Sequence, residues 1–204
     1  MTTSRGSAKK AKKTKTPSKR NRRQEIVAAL RTCMADKGFT AATLSDIAET
    51  AGMSSSHLLY YFSGKDAILE ALFSEECARE REELAALPAE PSAAFNAIAD
   101  LFLAPKKSSK NDRVVMLDLA GQTIQNRALR KAQASHEKAI KQTLTALFKK
   151  TPRAGLNPTD AAHAAFAMLS GLRTSAFFDS NLNAAQAHKL FRVVLGQLGG
   201  LKGR

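Results

Sequence analysis

The 204-residue chain contains no tryptophan, only two tyrosines and two cysteines, and six prolines. Cys33 and Cys77 each sit inside a helical apolar pattern, without a CxxC partner, so both read as small buried hydrophobes. β-Branched residues are sparse while alanine and leucine dominate, which argues for helices throughout. No apolar run reaches the roughly 18 residues that a membrane helix needs. The best stretch, AAHAAFAMLSGL at residues 161–172, is too short and ends against Arg173. The N-terminus has no apolar segment of a secretory signal, so no membrane partner and a cytoplasmic location are expected. GxGxxG, P-loop, HExxH and GxSxG patterns are all missing. His57, His136, His163 and His188 show no metal-ligand spacing. Neither an enzyme, a metal site nor a cofactor is expected.

Charge is plentiful and unevenly placed. The formal net charge is +14, and residues 1–23 hold ten Lys/Arg with no acid. Residues 1–20 cannot bury a core, and they are expected to form a disordered basic tail suited to a polyanion, nucleic acid first of all. Residues 24–73 run the other way, with three Lys/Arg against six Asp/Glu.

Ordered structure is expected from Asn21. Ile26, Val27, Leu30, Cys33 and Met34 recur at helical spacing until Gly38. In TLSDIAETAGM, residues 43–53, Thr43 and Asp46 have capping-box spacing, Ile47, Ala48 and Ala51 form the apolar face, and Gly52 stops the helix. Ser54 caps a second short helix carrying Leu58 and Phe62. Two short helices across a glycine turn make a helix-turn-helix. Ser63 with Asp66 repeats the capping spacing ahead of a long helix over residues 64–87, whose middle, EECAREREEL, reads as a solvated charged face. Beyond Pro91 the pattern stays helical: a stripe of Phe95, Ile98, Leu101 and Phe102; a loop at KKSSKND, residues 106–112; helix from Val114 to Lys150 with a break near Asn126; and two final helices over residues 158–179 and 183–198.

Residues 23–73, with GF-T-A-T before the first motif helix, IA..AG across that helix and turn, L-x-Y-x-F, and K-[DE]-x-[IL]-L, resemble the DNA-binding domain of TetR-family transcriptional regulators. The expected fold is all-α: a helix-turn-helix domain at residues 21–73, then a larger helical ligand-binding and dimerisation domain at residues 74–204. One departure stands out. Family members commonly carry a phosphate-contacting tyrosine at the position of Leu59, and here Tyr60 and Tyr61 follow that leucine instead.

With Leu58 at the centre of the buried face, Ser56 and Tyr60 point most directly outward, flanked by His57 and Leu59. Early residues of the second helix read bases in such motifs, so Ser55, Ser56 and His57 are the base-reading candidates. Tyr60, then Tyr61, are candidates for phosphate; Tyr61 alternatively packs beside Phe62. Thr43, Ser45, Ser54, Leu59 and Lys65 complete the DNA-contact set, Lys65 because it opens the next helix, where backbone N–H groups and a cation together hold a phosphate. The recognition helix has no Lys or Arg, so the basic tail is expected to supply much of the phosphate neutralisation.

The resemblance further implies a homodimer formed through the last two helices, a roughly palindromic double-stranded DNA operator, and a small-molecule effector whose binding releases it. Ala161, Ala164, Ala165, Met168, Leu172, Ala176, Leu190, Val193, Val194 and Leu198 are the interface candidates. Phe95, Phe102, Met116, Gln122, Phe166 and Arg173 are the effector-pocket candidates, with Met168, Phe177, His136 and His163 as further lining. A rival reading is a constitutive DNA-architectural protein that works through its tail and takes no ligand.

Overall fold

The computed structural model describes residues 19–104 and 109–201, and all the regular elements among them are α-helices. α1 (Lys19–Ala41) starts two residues ahead of Asn21, so residues 19 and 20 belong to a helix rather than to the tail; residues 1–18 lie outside the described residues. α1 does not end at Gly38 but kinks there, at φ 77, a backbone angle that glycine adopts without a Cβ clash. The Phe39 N–H just beyond the kink donates to Asp118 Oδ2 at 2.5 Å.

α2 (Leu44–Thr50) and α3 (Ser55–Tyr61) follow. Thr43 forms the reciprocal capping box with Asp46, and Ser54 accepts from the His57 N–H at 3.2 Å. Gly52, at φ 65, turns the chain between them. α4 (Lys65–Ala85) has Gly64 as its cap and no side-chain hydrogen bond there, so the expected Ser63 cap does not form.

α5 (Pro91–Leu103) opens on Glu90, which accepts from two backbone N–H groups, and has proline in its first turn. α6 (Lys110–Gln125) starts inside the segment expected to be a loop: Ser109 and Asp112 build a capping box there, which makes Lys110 to Asp112 helical. Asn126 ends α6 and caps α7 (Arg127–Lys150), so the expected break is found. α8 (Pro158–Phe178) and α9 (Ala184–Leu198) start on Asn157 and Asn183 caps.

Two apolar cores result. The first joins α1–α4 and also takes Val115 and Leu119 from α6 and Leu129 from α7. The second lies among α5, α7, α8 and α9. α6 therefore packs into the helix-turn-helix core although α5 separates it from α4 in the chain.

Candidate DNA-binding face and the cavity behind it

Leu58 is fully buried, and the opposite side of α3 faces solvent. Ser56 and His57 are exposed; Leu59 and Tyr60 are 48% and 68% exposed. Tyr61 is half-buried, as its place at the core boundary requires, and packs against the first core. Its ring stands 5.3 Å from His57 and 5.1 Å, edge-on, from Tyr60. The Tyr61 ring thus contacts both of the other two. Ser55 is half-buried, and its hydroxyl lies 3.3 Å from that of Ser45, which ties α2 to α3. Thr43 and Ser54 act as helix caps and remain exposed.

Lys65 departs from expectation. Its ammonium donates to Phe39 O and Ala42 O, both at 2.8 Å, and to Thr40 O at 3.4 Å, and it lies 4.3 Å from the centre of the Phe39 ring. The carbonyls just beyond the Gly38 kink hold this cation, so it is not directed outward as a phosphate ligand. The other cations of residues 24–73 are occupied as well. Lys37 pairs with Asp46 at 2.9 Å, and Arg31 pairs with Glu76 and Asp112. The Lys37 ammonium and the Thr43 side chain hold the Asp46 carboxyl well below the usual carboxylate range.

The cations nearest α3 come from the start of α1, which sequence reasoning assigned only to a diffuse basic run. Arg23 donates to the Tyr61 carbonyl, capping the C-terminus of α3, and its guanidinium lies 3.9 Å from the Phe62 ring centre. The Lys19 ammonium lies 5.0 Å from the Tyr60 ring centre. The chain thus enters α1 beside the recognition helix.

Behind this unit lies a cavity of about 230 Å³ walled by α4, α5, α6, α7 and α8, with Ala184 from the start of α9. Phe102, Met116, Phe166 and Arg173 line it, as expected. Phe95 and Gln122 do not. Phe95 packs on Phe148, ring centres 5.1 Å apart, inside the second core, and Gln122 donates to Asp118 on its own helix at 3.1 Å. Met168 and Phe177 are also outside the lining, and His163 is exposed.

On the cavity wall Glu80, 5% exposed, accepts from His136 Nε2 at 2.6 Å and from Arg173 Nη2 at 3.3 Å. Glu76, also buried, pairs with Arg79 at 2.6 Å and with Arg31. The charged run around these residues is therefore not all solvated: two of its glutamates face inward and are neutralised there. Burial alone would lower the His136 pKa, but the adjacent Cys77 side chain and the Glu80 carboxylate outweigh it and push it up to about 9. Burial opposes ionisation of Glu80, but hydrogen bonds and charges from His136 and Arg173 prevail and lower its pKa.

Arrangement and sequence converge on one class. Two short helices across a glycine turn, with the second offering a polar and aromatic outer face, define a helix-turn-helix protein. Residues 26–72 match the profile of bacterial regulatory proteins of the tetR family, and residues 91–200 match that of the BetI-type transcriptional repressor C-terminal region. The chain belongs to the TetR family. The HTH-type transcriptional repressor AcnR of Corynebacterium diphtheriae is 39% identical over 64 residues, 31% of this chain and 34% of that protein. The chain thus spans about a third of the length of the curated relatives it matches. A transcriptional regulator from Rhodococcus sp. Rha1 superposes with a TM-score of 0.77 at 18% identity, covering 86% of this chain and 95% of that one. A regulator from Saccharomonospora viridis, solved in complex with choline, superposes with a TM-score of 0.74 at 16% identity, covering 85% and 95%. At such identities these two likenesses show the fold.

Proposed function

We propose that the protein is a transcriptional repressor that binds a roughly palindromic operator as a homodimer and is released by a small molecule held in the central cavity. The observation that carries this reading is the double duty of α4 and α6. Both wall the cavity, and both contribute side chains to the core that carries α3. A ligand that prefers one placement of these helices shifts the placement of α3 by its differential affinity.

A second copy fits against α8 and α9. Ala161, Ala165 and Leu172 are buried in the chain's own core and so are not available to a partner. The exposed stripe on α8 is Ala164, Ala167, Gly171, Thr174 and Phe178, spaced by three and four residues, and α9 exposes Leu190 and Val193 beside it. Small side chains let a partner helix approach closely, and Phe178, 74% exposed, gains cover. Two copies present two α3 helices to successive major grooves, hence the palindrome.

In this reading Ser56 and His57 read base edges, and Tyr60 and Leu59 lie against the backbone. Phosphate neutralisation falls to Lys19, Arg20 and the basic residues before them, because Arg31, Lys37 and Lys65 are engaged internally. The test is selection of bound sequences from random duplex DNA at about 150 mM salt, a physiological ionic strength. A palindromic consensus is expected. Binding without sequence enrichment would support the architectural alternative instead. Deleting residues 1–18 is expected to weaken binding and flatten its salt dependence; an unchanged slope would remove the tail from the interface.

A further inference from the structure

Resting on the reading of the cavity as the effector site, we infer that its ligand is a small amphipathic carboxylate whose anionic end meets Arg173 and His136 and whose apolar body lies among Phe102, Met116 and Phe166.

Charge balance is the first argument. The two carboxylates on the cavity wall are each already held by two cations: Glu76 by Arg31 and Arg79, and Glu80 by His136 and Arg173. A cationic ligand would have to displace a partner from a buried pair, which leaves that partner's charge uncompensated. Glu80 instead meets two cationic partners at once, the His136 ring at 2.6 Å and the Arg173 guanidinium at 3.3 Å. A bound anion restores the balance.

Unused donors are the second argument. His136 is 9% exposed and its Nε2 is taken by Glu80; buried Nδ1 has only the adjacent Cys77 sulfur, a weak acceptor, beside it and no hydrogen bond to an oxygen or nitrogen among the described residues. A buried N–H with only a weak acceptor is costly, and an arriving carboxylate oxygen removes the cost. Arg173 gives Glu80 a single hydrogen bond, leaving the rest of its planar fork for a second carboxylate. Its guanidinium carbon lies 5.0 Å from the centre of the Phe102 ring, which orients the fork along the apolar wall.

Size is the third. A cavity of about 230 Å³, filled at the ~0.75 packing density of protein interiors, holds roughly ten non-hydrogen atoms. Octanoate and phenylacetate are of that size.

The experiment is calorimetric titration of the full-length protein with octanoate and phenylacetate, against phenylacetamide as the neutral isostere and choline as the cation. One carboxylate per chain is expected, with the amide at least about tenfold weaker. Arg173→Met is expected to weaken the carboxylates by about tenfold or more and to leave the amide unchanged, which a merely structural arginine would not do. Met116→Trp, which fills the hollow, is expected to abolish binding of both. Absence of carboxylate binding at millimolar concentration, choline or amide binding as tightly as the acids, or acids binding equally to Met116→Trp would each overturn the inference. The same titrations read against the selected DNA duplex separate the two claims. A carboxylate that fills the cavity but leaves DNA affinity unchanged upholds the ligand class and refutes the effector reading. Choline that releases the DNA does the reverse.

Discussion

The helix-turn-helix unit and the helical half behind it treat charge differently. In the first, cations settle on partly exposed carboxylates or on the carbonyls that end a helix, as Lys37 does on Asp46 and Lys65 on α1. In the second, Glu80 and His136 are sealed from solvent and depend on each other and on Arg173. Ends of short helices near the surface call for small local fixes worth about 1 kcal/mol each. A buried ion pair is different: its partners cost several kcal/mol to desolvate and are kept only if every member is present. The front unit is thus built from independent local devices, and the rear from one coupled cluster at the wall of a hollow.

Removing one member of that cluster is the most severe way to sharpen the contrast. Glu80→Ala strands the buried His136 and takes a partner from the part-exposed Arg173, and its expected cost is about 3 kcal/mol, read as a fall in the urea midpoint. A loss no larger than that of a surface glutamate would mean that the cluster is solvated in practice. In the front unit the comparable loss comes from apolar packing. Leu58→Ala empties the centre of the first core and should cost about 3 kcal/mol by the same measure, with loss of DNA binding.

The cluster also carries a pH signature. The folded-state pKa of His136, about 9, lies above the ordinary imidazole value of 6.5. Its contribution to stability is therefore fully present below about pH 6.5 and is lost as pH rises through 9. Urea midpoints measured from pH 6 to pH 10 should fall over that window. Other groups titrate at the alkaline end, so the comparison that decides is Glu80→Gln, in which the partner of the imidazolium is neutral and the fall should be shallower. Parallel curves for the two proteins would disprove the linkage.

The same division explains what the sequence made legible. Helix caps, the glycine turn and the i, i+4 apolar pattern are short-range, so the helix-turn-helix, the Thr43 and Ser54 caps and the Asn126 break can all be read from neighbouring residues. Glu80 lies 56 residues from His136 and 93 from Arg173. It sits in a charged run that looks solvated, and nothing local announces its partners. Gln122 and Phe95 have the right residue types for a pocket, but helix rotation gives one to Asp118 and the other to Phe148. Lys65 stands where a phosphate-binding lysine would stand; only the folded position of Phe39 and Ala42 shows where its ammonium goes.

Lys65 offers the finest test, because a structural clamp and a phosphate ligand differ in what salt does to them. Lys65→Met keeps the aliphatic stem and removes the donors to three carbonyls. If the ammonium serves only the end of α1, thermal stability falls by about 1 kcal/mol, and DNA affinity at fixed salt falls slightly. The slope of log affinity against log salt then stays unchanged, since no phosphate contact has been lost. If it also neutralises a phosphate, the slope becomes shallower by roughly 0.9 for each contact removed. The geometry predicts the unchanged slope, in contrast to the flattening expected when residues 1–18 are deleted. Equal flattening in both variants would place the phosphate contacts within the helix-turn-helix itself, and the division between a front unit that shapes the DNA face and a preceding segment that supplies its charge would fail.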